Sequence, residues 1–188
     1  MTFLIIVGVI LAIGYFWYVS LIGKRNKARE ALSTIDVQLK QRFDLIPNIL
    51  TIAQKFMDHE KSLLTDITEL RTRAAKPYDR NDAAAVREHI ATSQELAGKM
   101  NSLMLNVENY PTLKSDATMT QAMQTYNEVE AQISAARRFY NAAVTDLNNA
   151  VQIFPGNIIA GMANVKEMPF FETDETSRAP VSAAQFLK

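Results

Sequence analysis

The first 23 residues of the chain contain no charged side chain, and this run limits the possible folds more than any other feature. From Phe3 to Ile22 the run is long enough to cross the hydrocarbon core of a bilayer as a helix. A cleaved signal peptide would have a basic residue before its apolar run, and none is present here. We therefore expect residues 1–23 to form an uncleaved transmembrane anchor.

The residues that flank the anchor predict its orientation. Amphipathic rings favour the membrane interface, and cations that follow a span stay on the cytoplasmic side. We expect a single-pass protein of the bacterial inner membrane, with its N-terminus outside, its remaining residues in the cytoplasm, and membrane lipid as a partner. The expected interface residues are Tyr15, Trp17, Tyr18, Lys24, Arg25, Lys27 and Arg29.

A heptad repeat of apolar residues follows the anchor and extends from Lys24 to Ala75. Polar residues fill most places between the seam positions, as in a coiled-coil helix that buries one narrow face against other helices. At about 1.5 Å per residue, one helix of this length would reach roughly 75 Å. The a and d positions are Leu32, Ile35, Leu39, Arg42, Ile46, Ile49, Ala53, Phe56, Glu60, Leu63, Ile67, Leu70 and Ala74.

The rest of the chain also favours helices, because Gly98 is the only glycine between Lys24 and Pro155. Asp82 can cap a second helix, and a third should begin near Ser115 or Thr118. We expect an all-α fold in which the transmembrane helix continues into an antiparallel bundle of three long helices plus a short C-terminal helix. The expected divisions are 1–23 (anchor), 24–172 (bundle) and 173–188 (mobile tail).

Composition and motifs argue against several classes of function. Lys plus Arg equals Asp plus Glu, so no net field attracts nucleic acid, and the absence of Cys excludes disulfides and thiolate metal sites. His59-Glu60 and Glu88-His89 lack the second histidine of a zinc motif and the spacing of a diiron bundle. We expect no cofactor, no metal, no catalytic residue and no enzymatic activity.

Four charged residues occupy apolar seams and have two alternative interpretations: Arg42, Glu60, Glu130 and Arg137. They could form a buried network that fixes the register of the helices, since a buried charge is tolerated only when it is paired. Alternatively, their stems pack at the edge of the bundle and their charged groups remain solvated. Pro47 is expected to kink the long helix around the core, with a functional hinge as the alternative.

The expected lengths of the helices predict a surface for assembly. The second helix should return only to the level of Pro47, which leaves the membrane-proximal half of the long helix short of partners. Its seam residues Leu32, Ile35 and Leu39 are therefore the predicted oligomerisation surface. Neighbouring copies anchored in one bilayer are already parallel and concentrated, which favours homo-oligomers.

Two segments carry a resemblance to a known family. They are IDVQLKQRFDLIPN at 35–48 and, after ENYPTLK at 108–114, a block from Glu130 through ISAARRFYN at 133–141 to Phe154-Pro155. In order and spacing they resemble the LemA family. The resemblance implies a membrane-anchored antiparallel helical bundle with no established enzymatic activity. Relatives include magnetosome proteins implicated in forming membrane invaginations, and family genes often lie beside membrane zinc proteases.

Two functions follow as hypotheses. The first is a membrane-anchored helical scaffold that self-associates and organises or shapes the membrane. The alternative is an adaptor or regulator of a membrane metalloprotease in protein quality control. The two differ in stoichiometry, because a scaffold should form large homo-oligomers and an adaptor should remain small beside a defined partner.

Overall fold

A computed structural model describes residues 1–57 and 59–171, and these parts of the chain fold entirely into helices, turns and irregular segments. The expected all-α fold is confirmed. The predicted mobile tail, 173–188, lies outside the described residues. The helices are α1 (Thr2–Ala53), α2 (Lys61–Ala74), α3 (Ala83–Val107), α4 (Pro111–Lys114), α5 (Ala117–Gln152) and α6 (Gly156–Met162).

Helix α1 is continuous from the apolar N-terminal stretch into the core of the bundle. It contains 52 residues, which corresponds to a length of about 78 Å. The side chains of its first turns are exposed, whereas burial begins at Leu21, which is 2% exposed. By length and composition, α1 is able to cross a membrane. We call the end of the bundle near Leu21 the anchor end and the opposite end the far end.

The heptad repeat does not form one helix, because the chain reverses direction after Ala53. Helix α2 then runs back beside α1, and Met57 fills the end of the core in the turn between them. Both helices bury their apolar seams in the same core. The heptad spacing therefore continues from α1 into α2 although the chain turns back between them. The expected seam charge Glu60 is instead the half-buried N-cap residue of α2.

Polar contacts with α1 establish the direction of the other helices. Arg42 on α1 contacts Ser93 on α3 and Glu130 on α5. Tyr78, just after α2, contacts Asp36, so α2 is antiparallel to α1. The four long helices therefore run alternately away from and towards the anchor end, with α1 packed along α5 and α2 packed against α3.

The seam expected to remain uncovered is buried within one chain. Leu32 and Ile35 are 0% exposed and Leu39 is 1% exposed. Because α2 has already returned towards the anchor end, α3 runs away from it and α5 begins at the far end. The 36 residues of α5 then cover α1 as far as Leu21. The prediction that these three residues present a free surface for oligomerisation is wrong.

Helix α6 ends in a hydrogen-bonded turn that reverses the chain. The N–H of Val165 donates to the carbonyl of Ala160 at 2.9 Å, and Asn164 has a positive φ of 50°. This is the Schellman arrangement, in which asparagine tolerates the left-handed conformation after a helix. The turn directs the following residues back towards α5.

Residues 166–171, which we call the strap, run back along α5 and are held there by two asparagines. Asn148 donates to the carbonyl of Met168 and accepts from its N–H, both at 3.0 Å. Asn141 makes the same pair of bonds with Phe171, at 2.9 and 2.8 Å. Because the two asparagines are seven residues apart, they lie on one face of α5.

Candidate functional site

The anchor end brings the last exposed turns of α1 into contact with the end of α5 and with α6. Gly156 lies so close to the carbonyl of Ala150 that a Cβ atom would be 2.1 Å from its oxygen and 3.7 Å from Cζ3 of Trp17. Only glycine allows this approach without a shift of the backbone. A groove of about 390 Å³ opens beside it, and its lining residues are Phe16, Trp17, Ser20, Leu21, Lys24, Asn149, Ala150 and Ile153.

Two of the expected interface residues, Trp17 and Lys24, line this groove, and the others lie on neighbouring turns of α1. Tyr15 and Tyr18 are 64% and 45% exposed on α1, and Trp17 is 37% exposed beside α6. The four cations follow within two turns. Lys24, Arg25 and Arg29 are half-buried against the bundle and Lys27 is exposed.

Two of the four seam charges meet inside the bundle. Arg42 is 0% exposed, and its Nη1 donates to Oε1 of Glu130 at 3.0 Å. Its Nη2 donates to the backbone carbonyl of Ser93 at 2.8 Å. These bonds connect α1, α3 and α5 at one level. A buried guanidinium with a paired charge fixes the register of the helices it joins.

Arg137 lies near this pair without forming an ion pair within the described residues. Its guanidinium is 4.4 Å from the centre of the Phe171 ring, which is the geometry of a cation–π contact. Burial lowers the pKa of Arg137, and the nearby Glu130 carboxylate opposes that effect. Arg137 therefore supports the strap.

A second polar cluster surrounds Asp36 on α1. Tyr78 donates to Oδ1 of Asp36 at 2.9 Å, and Nη2 of Arg80 lies 2.8 Å from its Oδ2. His89 stacks on Tyr78 with ring centres 4.1 Å apart, and its Nε2 is 3.6 Å from Asp36. Burial, followed by the negative charge of Asp36, raises the pKa of Tyr78. The cluster joins α1 to the α2–α3 loop and to α3.

Pro47 lies inside α1 and cannot donate the hydrogen bond that the carbonyl of Phe43 would receive in a regular helix. Nε of Arg71 on α2 donates to that carbonyl at 2.6 Å. The proline therefore creates an acceptor that the neighbouring helix uses, which is an effect that neither the expected kink nor the alternative hinge included.

The remaining candidates do not join these clusters. Glu60 occupies the N-cap position of α2 at the far end, without a side-chain capping hydrogen bond, and His59 is exposed. Across residues 1–57 and 59–171, no three His, Asp or Glu side chains are grouped so as to hold a metal ion.

Several residues that organise the structure were missed from the sequence. Ser93 contributes a backbone carbonyl, so its residue type gives no signal. Asp36 occupies a polar heptad position and resembles an ordinary surface residue. The two strap-binding asparagines had only a weak signal, the heptad spacing between Asn141 and Asn148 on α5.

The chain is similar to Magnetosome protein MamQ 2 and MamQ 1 of Paramagnetospirillum magneticum, each 22% identical over 176 residues, which cover 83% of this chain and 65% of the relative. Magnetosome protein MamQ of Magnetospirillum gryphiswaldense is 19% identical over 191 residues, covering 91% of this chain and 70% of the relative. The chain thus spans about two thirds of the length of these curated relatives.

The family model described as LemA family matches residues 31–186. This range contains α2 to α6 and the buried part of α1 from Ala31 onwards. Together with the exposed apolar stretch of α1, these matches identify a membrane-associated helical protein. Because the match covers most of its length, the chain belongs to the LemA family.

Proposed function

We propose that this protein is a non-enzymatic, membrane-anchored scaffold that self-associates and organises or shapes the bilayer around it. One observation carries the proposal: α1 passes without a break from its exposed apolar stretch into the bundle, and α5 packs along it as far as Leu21. The bundle is therefore joined to its anchor by a helix and not by a flexible linker. Such a joint suits a protein whose role is to hold a position relative to the membrane.

The buried polar contacts support the same role. Arg42, Glu130 and Ser93 use their charged and polar groups to connect three helices at one level. Asp36 similarly holds Tyr78 and Arg80 against α1. Buried polar groups that are hydrogen-bonded to a neighbouring helix in this way fix the packing of the bundle.

Self-association requires a surface other than the buried seam. Val37 on α1 is 56% exposed and Phe139 on α5 is 53% exposed. Counted from the contact between Arg42 and Glu130, Val37 is about 8 Å and Phe139 about 14 Å nearer the anchor end. Exposed apolar side chains at a similar height favour contact between copies held in one bilayer.

The size of the full-length protein in nanodiscs tests this proposal. The wild type should form assemblies larger than one chain, and Val37→Glu with Phe139→Glu should reduce them to single chains. Leu105→Glu is the matched control, because Leu105 is 71% exposed on α3 near the far end and should leave the size unchanged. A wild-type protein that is monomeric at high density in the bilayer would contradict the scaffold and favour the adaptor.

The adaptor makes a different prediction for the same preparation. A single chain would then be recovered by crosslinking in stoichiometric complex with one membrane protein, and a membrane metalloprotease is the partner to test. Recovery of this chain crosslinked to itself would support the scaffold.

The proposed orientation places the bundle in the cytoplasm, because Lys24, Arg25, Lys27 and Arg29 follow the uncharged side chains of residues 1–23. Protease added to intact spheroplasts should leave the bundle uncut and should digest it after lysis. Digestion of the bundle in intact spheroplasts would show that the orientation is the opposite one.

A further inference from the structure

We infer that residues 153–162, which we call the corner, form a second membrane contact that places its apolar side chains in the interfacial layer of the bilayer beside the α1 anchor. The corner begins just after α5 ends at Gln152 and contains the turn that follows and the whole of α6 (Gly156–Met162). The inference rests on the membrane anchor of the proposed function. It is independent of self-association.

The corner exposes large apolar side chains at a density found nowhere else in the described bundle. Ile153 is 58% exposed, Phe154 73%, Ile158 56% and Met162 85%. Between residues 24 and 152, leaving out Asp58, the large apolar side chains that are more than half exposed are Val37, Leu105 and Phe139. A concentrated apolar surface of this kind marks a contact with lipid or protein.

The position of the corner selects lipid as the occupant. The exposed apolar stretch of α1 from Phe3 to Ser20 spans about 27 Å, close to the thickness of the hydrocarbon core of a bilayer, about 30 Å. Trp17 and Leu21 then lie at the interface. Because Gly156 packs against Trp17 and Ile153 lines the same groove, the corner lies at the depth of the interface.

The charge distribution fits this depth. No Asp, Glu, Lys, Arg or His occurs from Leu147 to Val165, and Asp146 and Lys166 are the first charges on either side. Charged groups would oppose insertion into the interfacial layer, whereas apolar side chains favour it.

The corner is held in a defined position. The N–H of Val165 caps the carbonyl of Ala160 at the end of α6. Beyond it, Asn148 holds both backbone groups of Met168 in the strap. Both ends of the corner are therefore fixed to α5, so its apolar side chains are presented from a rigid support.

The chain contains no cysteine, so a nitroxide can be attached at one chosen position of the full-length protein in nanodiscs. We choose Ile158→Cys and Met162→Cys in the corner, with Leu105→Cys as the matched control. Leu105 is similarly exposed and apolar but lies about 18 Å beyond Arg42 on the side away from the anchor. The measurement is the ratio of nitroxide collisions with oxygen to collisions with a water-soluble nickel chelate.

The corner labels should give a ratio several-fold higher than the Leu105 label, because oxygen concentrates in lipid and the chelate remains in water. Equal ratios at all three positions would overturn the inference. Corner labels that become shielded from both reagents only as protein density in the bilayer increases would show that a second copy covers the corner, which would also overturn it.

A separate measurement distinguishes failure of the inference from failure of the proposed function. Trp17 is the only tryptophan in the chain, so quenching of its fluorescence by brominated lipids reports insertion of the anchor. Quenched Trp17 with water-exposed corner labels would remove only the second contact. Unquenched Trp17 would remove the membrane anchor, the proposed function and this inference together.

Discussion

Arg71 on α2 donates a 2.6 Å hydrogen bond from Nε to the backbone carbonyl of Phe43 on α1. The carbonyl is available because Pro47, four residues later in α1, has no N–H to donate. The hydrogen bond that α1 lacks at Pro47 is thus replaced by one from a charged side chain of the antiparallel helix α2. This contact links the proline to the packing of α2.

This relationship predicts a thermodynamic coupling between Arg71 and Pro47. Arg71→Met should destabilise the fold by about 1.5–3 kcal/mol, because a charged hydrogen bond is lost and the carbonyl of Phe43 is left unpaired. In a Pro47→Ala background the new N–H can bond to that carbonyl, so Arg71→Met should cost less. Denaturant unfolding of the four proteins, followed by circular dichroism, gives the coupling. Equal costs in the two backgrounds would contradict it.

The contact between Arg42 and Glu130 predicts that single substitutions cost more than a double one. Glu130→Leu should destabilise the bundle by about 3 kcal/mol, because Arg42 is fully buried and loses its counter-charge. Arg42→Met combined with Glu130→Leu should cost less than Glu130→Leu alone, since no buried charge remains. Denaturant unfolding followed by circular dichroism compares the stabilities of the single and double variants. A double variant less stable than both single variants would show that the pair is itself a major source of stability.

Leu32, Ile35 and Leu39, the predicted oligomerisation surface, are buried, so a charge at one of them should destabilise the fold of the single chain. Ile35→Glu should destabilise the whole bundle by about 3 kcal/mol or more, because an unpaired charge is placed at a fully buried position. Val37→Glu, two residues away and exposed, is the control for helix propensity and should leave the fold intact. Loss of helical circular dichroism at a lower temperature in Ile35→Glu alone would agree with the structure. An Ile35→Glu protein as stable as the wild type would contradict the burial of Ile35 and show that this seam is exposed.

Tyr78 predicts a dependence of stability on alkaline pH. Its pKa is raised first by burial and then by the charge of Asp36. Because the folded-state pKa lies above the unfolded value of about 10, neutral Tyr78 contributes stability that is present below pH 10 and is lost as the pH rises through the folded-state pKa. Tyr78→Phe should flatten this loss by up to about 1.4 kcal/mol per pH unit. An identical pH profile for the variant would mean that Tyr78 ionises normally.

Local signals in the sequence predicted much of the fold. Asp82 was expected to cap a helix, and its side chain does accept from the N–H of Ala84. Asp116 similarly caps α5, next to its predicted start at Ser115 or Thr118. A cap depends on residues that are neighbours in the chain, so it can be read without knowledge of the fold.

The reversal after Ala53 could not be predicted in the same way. A heptad position states only that a residue faces a core, and α1 and α2 face the same core from opposite directions. The signal for the turn between α1 and α2 was Glu60, a charged residue at a seam position that is otherwise apolar. The coverage of Leu32 followed from the reversal, because an additional helix changes which helices run towards the anchor end.

The polar clusters were predictable in part. Arg42 and Glu130 were two of four charges that could form a network, and these two form an ion pair. Their third partner is a backbone carbonyl of Ser93, and any residue at that position would supply one. The strap lies beyond the last predicted helix, so its bonds to Asn141 and Asn148 depend on a chain reversal that the apolar pattern of α5 does not contain.

The unbroken course of α1 makes the bundle a lever. From Trp17 to Ala53 the helix extends about 54 Å, so a change of 10° in the tilt of the proposed membrane span would displace the far end sideways by about 9 Å. Spans of this kind change their tilt when the thickness of the bilayer changes. With α1 spanning the membrane as proposed, a local change in membrane thickness would produce a lateral displacement of the turn between α1 and α2.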